Sequence, residues 1–477
     1  MRRAKIVATL GPASHTTDQI RTLVDAGMDV ARLNLSHGTH ADHLESYLAV
    51  REASDASGRG VGILADLQGP KIRLGTFVDG PVLLEPRAEF IVTTDDVPGD
   101  ATMVSTTHAG LTDDVGPGDL VLVDDGRIEL RVTKVEGTRV HTTVVEGGRV
   151  SDHKGFNLPG VPVSVPALSD KDIEDLRWAL RIGVDMIALS FVRSPDDIKG
   201  VRAIMENEGI FVPVLAKVEK PQAIENLEQI VEAFDGVMVA RGDLGVELPL
   251  EQVPLVQKRA IQMCRQAGKP VIVATQMLES MIGSPRPTRA EASDVANAVL
   301  DGADALMLSG ETSVGHNPAL VVETMSRIIE RVESEALERI PPLDLEVRGS
   351  TARALTRAAV DVAQYTDATY LIAFTETGRS ARLIARWRCD TSLLAFTPNP
   401  RVRSQLALVW GVETFLVPQV RHTDDMVVQV DKALLDIGRA TIGERVVIVA
   451  GVPPGVPGTT NGMRVHKMGS AGPGGGV

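Results

Sequence analysis

Eight times along the chain a short, mostly apolar run ends abruptly in polar or charged residues. The runs are KIVATLG from Lys5, VARLNLS from Val30, GILADL from Gly62, MIALSFV from Met186, PVLAKVE from Pro213, GVMVAR from Gly236, PVIVAT from Pro270 and ALMLSG from Ala305. Six of the seven start-to-start steps lie between 23 and 35 residues, the length of one strand plus one helix; the remaining step is 124. Helical patterns fill the gaps. TTDQIRTLVDAG and SDKDIEDLRWALRIG each open on a hydroxyl N-cap and close at a glycine. Strands and helices in strict alternation build parallel sheet, and eight such units predict a (β/α)8 TIM barrel with one insertion.

The long step places the insertion between the third and fourth strands, at residues 70–166. Its texture differs: EFIVTT, DLVLVDD, IELRVTKV and RVHTTVVEGG alternate apolar and polar residues between DDG, EGT and EGG turns. This predicts a small antiparallel β-barrel hung from the C-terminal rim as a lid. The barrel then comprises residues 1–69 and 167–340. Past Ile340-Pro341-Pro342 strands and helices alternate again (YLIAFT, SLLAFT, ETFLVP and RVVIVAG), predicting a doubly wound α/β domain over residues 341–477. Its glycine-rich end, AGPGGGV, is expected to fray.

Parallel strands deliver their last residues to one edge, where α/β barrels place their sites. Within Val212–Pro249 the fifth strand runs out at Lys217 and Glu219 and the sixth at Arg241 and Asp243, separated by one helical stretch, PQAIENLEQIVEAF. Gly242-Asp243-Leu244-Gly245 reads as a helix start whose backbone N–H groups suit a carboxylate or phosphate. Two carboxylates and an ammonium there can hold a divalent cation and an anion together; the bland alternative is a surface salt-bridge cluster. The other strand ends add Arg32, Asn34, Ser36, His37, Asp66, Arg73, Ser190, Arg193, Thr275, Ser309 and Glu311. Hard oxygen ligands suit Mg2+ shared with substrate phosphates, and flanking Arg and Lys clamp phosphoryl oxygens. There is no HExxH, Walker loop or glycine-rich dinucleotide fingerprint. His37 reads as a polar rim residue, having no histidine partner at metal spacing.

A chain of 477 residues needs more than one core, and with 3% aromatics that core rests on aliphatic residues. A net charge of −14, spread along the chain, argues against nucleic acid as a partner and for a soluble, cytoplasmic protein. Cys264 and Cys389 cannot make a disulfide framework or a cysteine zinc site. No run approaches the roughly 20 apolar residues of a membrane span. The N-terminal Arg2-Arg3 is followed by a stretch too short and too punctuated for a secretory signal.

KIVATLGPAS, VARLNLSHG, ADLQGPKIRLG, AKVEKPQAIENL, VMVARGDLGVELP, VIVATQMLESM and PRPTRAEASDVANAVLDGADALMLSGET together resemble the pyruvate kinase family over nearly the whole chain. The resemblance implies transfer of the phosphoryl group of phosphoenolpyruvate to ADP, giving pyruvate and ATP, in a homotetramer. It implies Mg2+ or Mn2+ on Glu219 and Asp243, with substrate oxygens completing the shell. Lys217 matches the lysine that stabilises charge on the transferring phosphoryl group and the enolate. Arg32 matches a phosphate clamp, and Arg73 one spanning donor and nucleotide phosphates. Gly242, Asp243 and Thr275 match the carboxylate seat, with Thr275, Ser309 and Glu311 near the enolate's proton source. Pro12, Asn34, His37 and Lys171 match positions near the nucleotide. Asn34, Ser36, Asp66 and the Leu67 carbonyl match a monovalent-cation site. Here this sequence departs from the best-known pattern: Lys71 stands where a glutamate accompanies K+. Its ammonium is expected to replace the cation, so that K+ is not required; a solvated hinge lysine is the alternative. Thr375, Thr377, Gly378, Arg379 and Ser380 resemble an effector loop for a phosphorylated metabolite, against an ordinary helix cap. A carbon–carbon lyase on the same barrel and a catalytically silent sugar-phosphate sensor are the competing readings.

Overall fold

The computed structural model describes residues 2–124, 126–161, 163–345, 349–456 and 458–470. The AGPGGGV end lies outside them.

Eight parallel strands close into a barrel: β1 (Lys5–Thr9), β2 (Val30–Asn34), β3 (Gly62–Asp66), β4 (Met186–Leu189), β5 (Val214–Val218), β6 (Gly236–Ala240), β7 (Val271–Ala274) and β8 (Ala305–Leu308). Each pairs only with its neighbours in sequence, and β1 with β8. The helices form where their caps predict. Thr16 and Ser169 each close a capping box, and Gly27 (φ 117°) and Gly183 (φ 88°) end the helices in the left-handed region. Along β1, Ile6 and Ala8 face the helices while Val7 joins Leu64, Leu215, Met238, Ile272 and Met307 inside the barrel. PQAIENLEQIVEAF, expected as one helix, is two: Pro221–Glu225 and Leu227–Ala233. The break falls at Asn226, whose amide donates to the Arg193 carbonyl at 2.9 Å, anchoring the chain to the loop after β4.

The inserted domain is a six-stranded sheet ordered Phe156–Asn157, Leu120–Val123, Ile128–Glu136, Arg139–Glu146, Glu89–Thr93, Met103–Ser105, with a separate ribbon of Val82–Leu84 and Gly148–Val150. One pair departs from the antiparallel expectation: Glu89–Thr93 runs parallel to Met103–Ser105. The connection between them turns back, its end held by the Asp100 carboxylate on the Thr102 and Met103 N–H groups. Arg73 and Leu74 then link the two edges, bridging to Gly155 and Thr106 respectively, which rounds the sheet into a barrel.

The last domain is a five-stranded sheet, ordered Val412–Leu416, Ser392–Thr397, Tyr370–Phe374, Arg445–Gly451, Thr460–Lys467. Helices Thr351–Tyr365 and Arg379–Ala385 cover one face and Thr423–Leu435 the other, the doubly wound arrangement. The antiparallel edge strand Thr460–Lys467 was not foreseen; its alternation is interrupted by polar residues on both faces.

This domain also supplies the floor of the barrel. A 3-10 turn at Leu406–Leu408 puts Ala407 and Leu408 into the barrel's interior cluster. Around it, Gln405 donates to the Asp185 carbonyl (3.3 Å), Lys5 Nζ to the Val412 carbonyl (2.8 Å), and Trp410 N–H to Asp304 (3.1 Å). Gly62 allows the approach, since a Cβ there would lie 2.7 Å from the Ser404 carbonyl. Leu408 is fully buried. Leu408→Ala should therefore cost about 2–5 kcal/mol. The expected outcome is a lower urea midpoint for barrel and α/β domain together, followed through Trp178 and Trp410 fluorescence; loss from the α/β domain alone would contradict the shared floor.

Candidate active site

The strand ends meet around one buried ammonium. Lys217, on β5, donates to Ser190 Oγ just past β4 at 2.7 Å and lies 2.9 Å from Glu219 Oε1 and 3.3 Å from Asp66 Oδ1 on β3. Asp66 also takes Arg32 Nε at 2.7 Å, and Arg32 Nη1 donates to Thr9 Oγ1 at 3.0 Å. Strands β1, β2, β3 and β5, with the residue just past β4, thus contribute to one polar network. Burial alone would lower the Lys217 pKa, but the Asp66 and Glu219 carboxylates outweigh it and raise it, keeping the group cationic. Burial likewise works against the Asp66 anion, yet Lys217 and Arg32 hold its pKa below the usual carboxylate value.

Glu219 is different. Burial pushes its pKa up, and the nearby Asp243 carboxylate adds to that rise against the pull of Lys217. Its Oε2 accepts the Phe191 N–H at 2.9 Å, while Oε1, though beside Lys217, has no hydrogen bond. Phe191 reaches it from the left-handed region (φ 55°), and the packing beneath needs a glycine: a Cβ on Gly69 would lie 2.5 Å from the Phe191 ring. Two carboxylates in mutual repulsion, one of them with a buried oxygen that accepts no hydrogen bond, are what a hard divalent cation relieves. Among the described residues no group of three or more His, Cys, Asp or Glu side chains could hold a metal ion, so a cation held by Glu219 and Asp243 would need further ligands from outside the chain.

Asp243 lies in the first turn of helix Arg241–Glu247, the helix start expected there. The Gly242 N–H, anticipated as part of a carboxylate seat, donates to Thr275 Oγ1 at 2.7 Å, so two of the three members of that seat bond to each other. Thr275 (φ 73°) and Gln276 (φ 54°) are both left-handed, and Arg241 secures the turn by donating to the Thr275 carbonyl at 2.8 Å while pairing with Asp294. Glu311, fully buried, accepts the Ser309 and Leu278 N–H groups, which makes it a brace for the loop after β8. Ser309 Oγ is buried without a partner.

On the β2 side, Asn34 accepts the Ser36 N–H and its carbonyl the His37 N–H. Lys171 donates to the Leu35 carbonyl at 2.7 Å and pairs with Asp175. Burial, then Arg73, Lys71 and Arg32, lower the His37 pKa, placing these cations around one imidazole. Pro12 follows β1 and accepts from His15. Arg73 donates to the His153 carbonyl within the lid. The Leu67 carbonyl, expected to face a monovalent cation, accepts Ser190 Oγ at 2.7 Å. Lys71 is exposed and makes no ion pair among the described residues. It lines, with Asp243, Lys220 and Phe156, a cleft of about 580 Å3 between lid and barrel. The lid is clasped across it: Asn157 donates to Glu247 at 2.9 Å, and Lys220 pairs with the same oxygen.

Ser190 and Arg241 stand at strand ends in the sequence but have no role assigned there, and neither Phe191 nor the Asn157–Glu247–Lys220 clasp is singled out by it. Ser190 and Phe191 are visible as a strand end, but nothing in the sequence says that a phenylalanine's backbone would hold Glu219. In the α/β domain, Thr375, Thr377, Arg379 and Ser380 line a second cavity of about 580 Å3. Gly378 (φ 77°) turns the chain into the helix there, and Ser380 Oγ lies 2.6 Å from Thr460 Oγ1.

A (β/α)8 barrel with a clasped lid, a charged lysine, two carboxylates suited to a divalent cation and flanking arginines defines a metal-dependent enzyme for phosphorylated substrates. Comparison with known proteins narrows this. Residues 1–322 match the family model "Pyruvate kinase, barrel domain" and residues 353–466 "Pyruvate kinase, alpha/beta domain". The chain is 59% identical to a pyruvate kinase of Mycobacterium tuberculosis H37Rv, over 98% of this chain and 99% of that one. It is 58% identical to one of Corynebacterium glutamicum, over 98% of each. The crystal structure of a pyruvate kinase from Cryptosporidium parvum superposes with a TM-score of 0.91 at 35% identity, covering 98% of this chain and 96% of that one. The chain belongs to the pyruvate kinase family and is a phosphotransferase, which sets aside the lyase and sensor readings.

Proposed function

We propose that the strand-end site transfers the phosphoryl group of phosphoenolpyruvate to ADP, giving pyruvate and ATP. The observation that carries this reading is the Lys217 network, a permanent positive charge fixed beside two carboxylates and an arginine at the barrel's C-terminal edge. Arg32 spends Nε and Nη1 on Asp66 and Thr9, which leaves Nη2 for a phosphoryl oxygen. Lys217 offsets the charge that develops as the phosphoryl group leaves the enolate oxygen for the ADP oxygen. The Gly242 N–H and Thr275 hydroxyl exchange their mutual bond for the substrate carboxylate. Arg73, on the lid hinge beside His37, reaches the nucleotide phosphates, with Asn34, His37, Lys171 and Pro12 around them. Ser309 and Thr275 lie on the path by which a proton reaches the enolate's methylene carbon, with Glu311 fixing the loop. Mg2+ or Mn2+ on Glu219 and Asp243 would supply the charge neutralisation that lets donor and acceptor anions approach. Lys217→Met should lower kcat by roughly 10²–10³ with little change in KM. Asp243→Ala should remove nearly all turnover with an unchanged melting temperature; near-normal kcat in either variant at saturating Mg2+ would refute the assignment.

The same charges bear on the monovalent cation. Asp66 is already neutralised by Arg32 and Lys217, and Lys71 and Arg73 stand nearby, so K+ at Asn34, Ser36, Asp66 and Leu67 would add repulsion. Lys71 supplies the cation's charge and K+ is not required. Activity should persist with tetramethylammonium as the sole monovalent cation, and Lys71→Glu should lose it there and regain part with K+. An enzyme inert without K+ would show that Lys71 does not take its place.

The loop Thr375–Ser380 takes a phosphorylated effector, supported by its hydroxyls, Arg379 and the cavity they line. The reading includes a homo-oligomer, a tetramer as in the family, because equilibrium cooperativity needs more than one site. A cytoplasmic location belongs to it too; no described helix is long and apolar enough to cross a membrane. Phosphoenolpyruvate saturation should be sigmoidal and move left roughly fivefold or more with a sugar phosphate or nucleoside monophosphate. Arg379→Ala should abolish the move without changing maximal rate; a hyperbolic, unresponsive wild type would leave the loop a helix cap.

A further inference from the structure

At the opposite end of the barrel from the catalytic residues, a cavity of about 200 Å3 opens between the barrel and the α/β domain. Its barrel wall is the end of helix Val253–Ala267 and the residues just before β7 and β8; its other wall is helix Arg379–Ala385 and the turn after it. Five cationic side chains line it, Arg265, Lys269, Arg382, Arg386 and Arg388, against one carboxylate, Asp304. Asp304 is already used. It pairs with Arg388 at 3.0 Å and accepts the Trp410 and Val271 N–H groups. Lys269 is spread over the carbonyls of Val231, Glu232 and Phe234. Asp235, the next carboxylate near the cluster, pairs with Arg202.

That leaves three arginines with no ion pair among the described residues. Arg265 and Arg386 are 1% and 2% exposed, yet Arg265 Nε and Arg386 Nε and Nη2 have no hydrogen-bond partner. Arg265 Nη1 donates to the Pro341 carbonyl at 2.9 Å; the other bonds are long ones to carbonyls, Arg386 Nη1 to Gln266 at 3.3 Å and Arg265 Nη2 to Arg386 at 3.5 Å. Stacking over Trp387, 5.1 Å from the ring centre, compensates Arg386 only in part. Buried charges in folded proteins are paired, and arginines without ion pairs lining one cavity describe half of an ion pair. Burial pulls the Arg265 pKa down to about 9, with Arg388 adding to the fall, and that of Arg386 down to about 10.

We propose that this cavity is an anion site that takes one phosphate-class dianion, either inorganic phosphate or the phosphoryl group of a small phosphorylated metabolite, and thereby ties the α/β domain to the barrel. It is separate from the Thr375–Ser380 cavity, whose residues it does not share.

The test is thermal unfolding with inorganic phosphate replacing chloride at fixed pH and ionic strength. Phosphate should raise the wild-type melting temperature. Arg386→Gln and Arg382→Gln should each weaken the apparent phosphate affinity by about thirtyfold or more, while Arg379→Ala, in the other cavity, should leave it unchanged. Arg382 is half-buried and its side chain makes no hydrogen bond among the described residues, so its variant decides the matter should Arg386→Gln not fold. A crystal soaked in selenate should show an anomalous peak between Arg265 and Arg386. A panel of sugar monophosphates separates the sources, a tighter response than that of inorganic phosphate assigning the site to a metabolite. No peak, a phosphate response equal in wild type, Arg386→Gln and Arg382→Gln, or one lost only in Arg379→Ala would overturn the proposal.

Discussion

Everything at the catalytic edge depends on keeping the Lys217 ammonium charged out of water. Desolvating an ammonium is costly, and the barrel offsets this with anions from two other positions, Asp66 on β3 and Glu219 just past β5, plus the Ser190 hydroxyl just past β4. Each anion is held in turn, Asp66 by Arg32 and Glu219 by the Phe191 N–H. The network works because barrel closure fixes the ends of adjacent strands to within a residue. Asn34 stands opposite Asp66, and Asp66 opposite Ala188. A strand slipped by one position would turn these side chains to the other face of the sheet.

The same edge concentrates backbone strain. Phe191, Thr275 and Gln276 occupy the left-handed region without being glycine. Such conformations cost on the order of 1–3 kcal/mol each and persist only where surrounding contacts fix them. Here those contacts are identifiable: Glu219 on the Phe191 amide, Arg241 on the Thr275 carbonyl. Rigid strands therefore present the charges, while strained turns aim backbone groups that no side chain could replace.

How far the sequence speaks follows from whether a feature is local. Strand ends were legible because a buried parallel strand reads as an apolar run and its charged terminus stands out, as at Lys217 or Asp243. Caps were legible because Thr16 and Ser169 act within a single turn. The barrel, its insertion and the doubly wound domain followed from spacing, and the residues Lys217, Glu219, Asp66 and Arg32 do meet. Interactions joining distant segments left no trace. Nothing near Asn226 announces its bond to Arg193, and nothing in Asn157 points to Glu247, 90 positions on. Lys71 was singled out by its identity, but identity alone does not say whom a side chain touches.

The floor of the barrel carries a consequence of its own. Because Leu408 sits inside the same apolar cluster as Val7, Leu64 and Ile272, the α/β domain and the barrel own one core in common. Cutting the chain at the Pro341-Pro342 linker would divide that core and leave an open apolar well. It also makes a ball joint: a rotation of the α/β domain that keeps the floor dry has to turn about the Leu408 side chain, so the barrel's base acts as the fulcrum and the outlying helices sweep the larger arc.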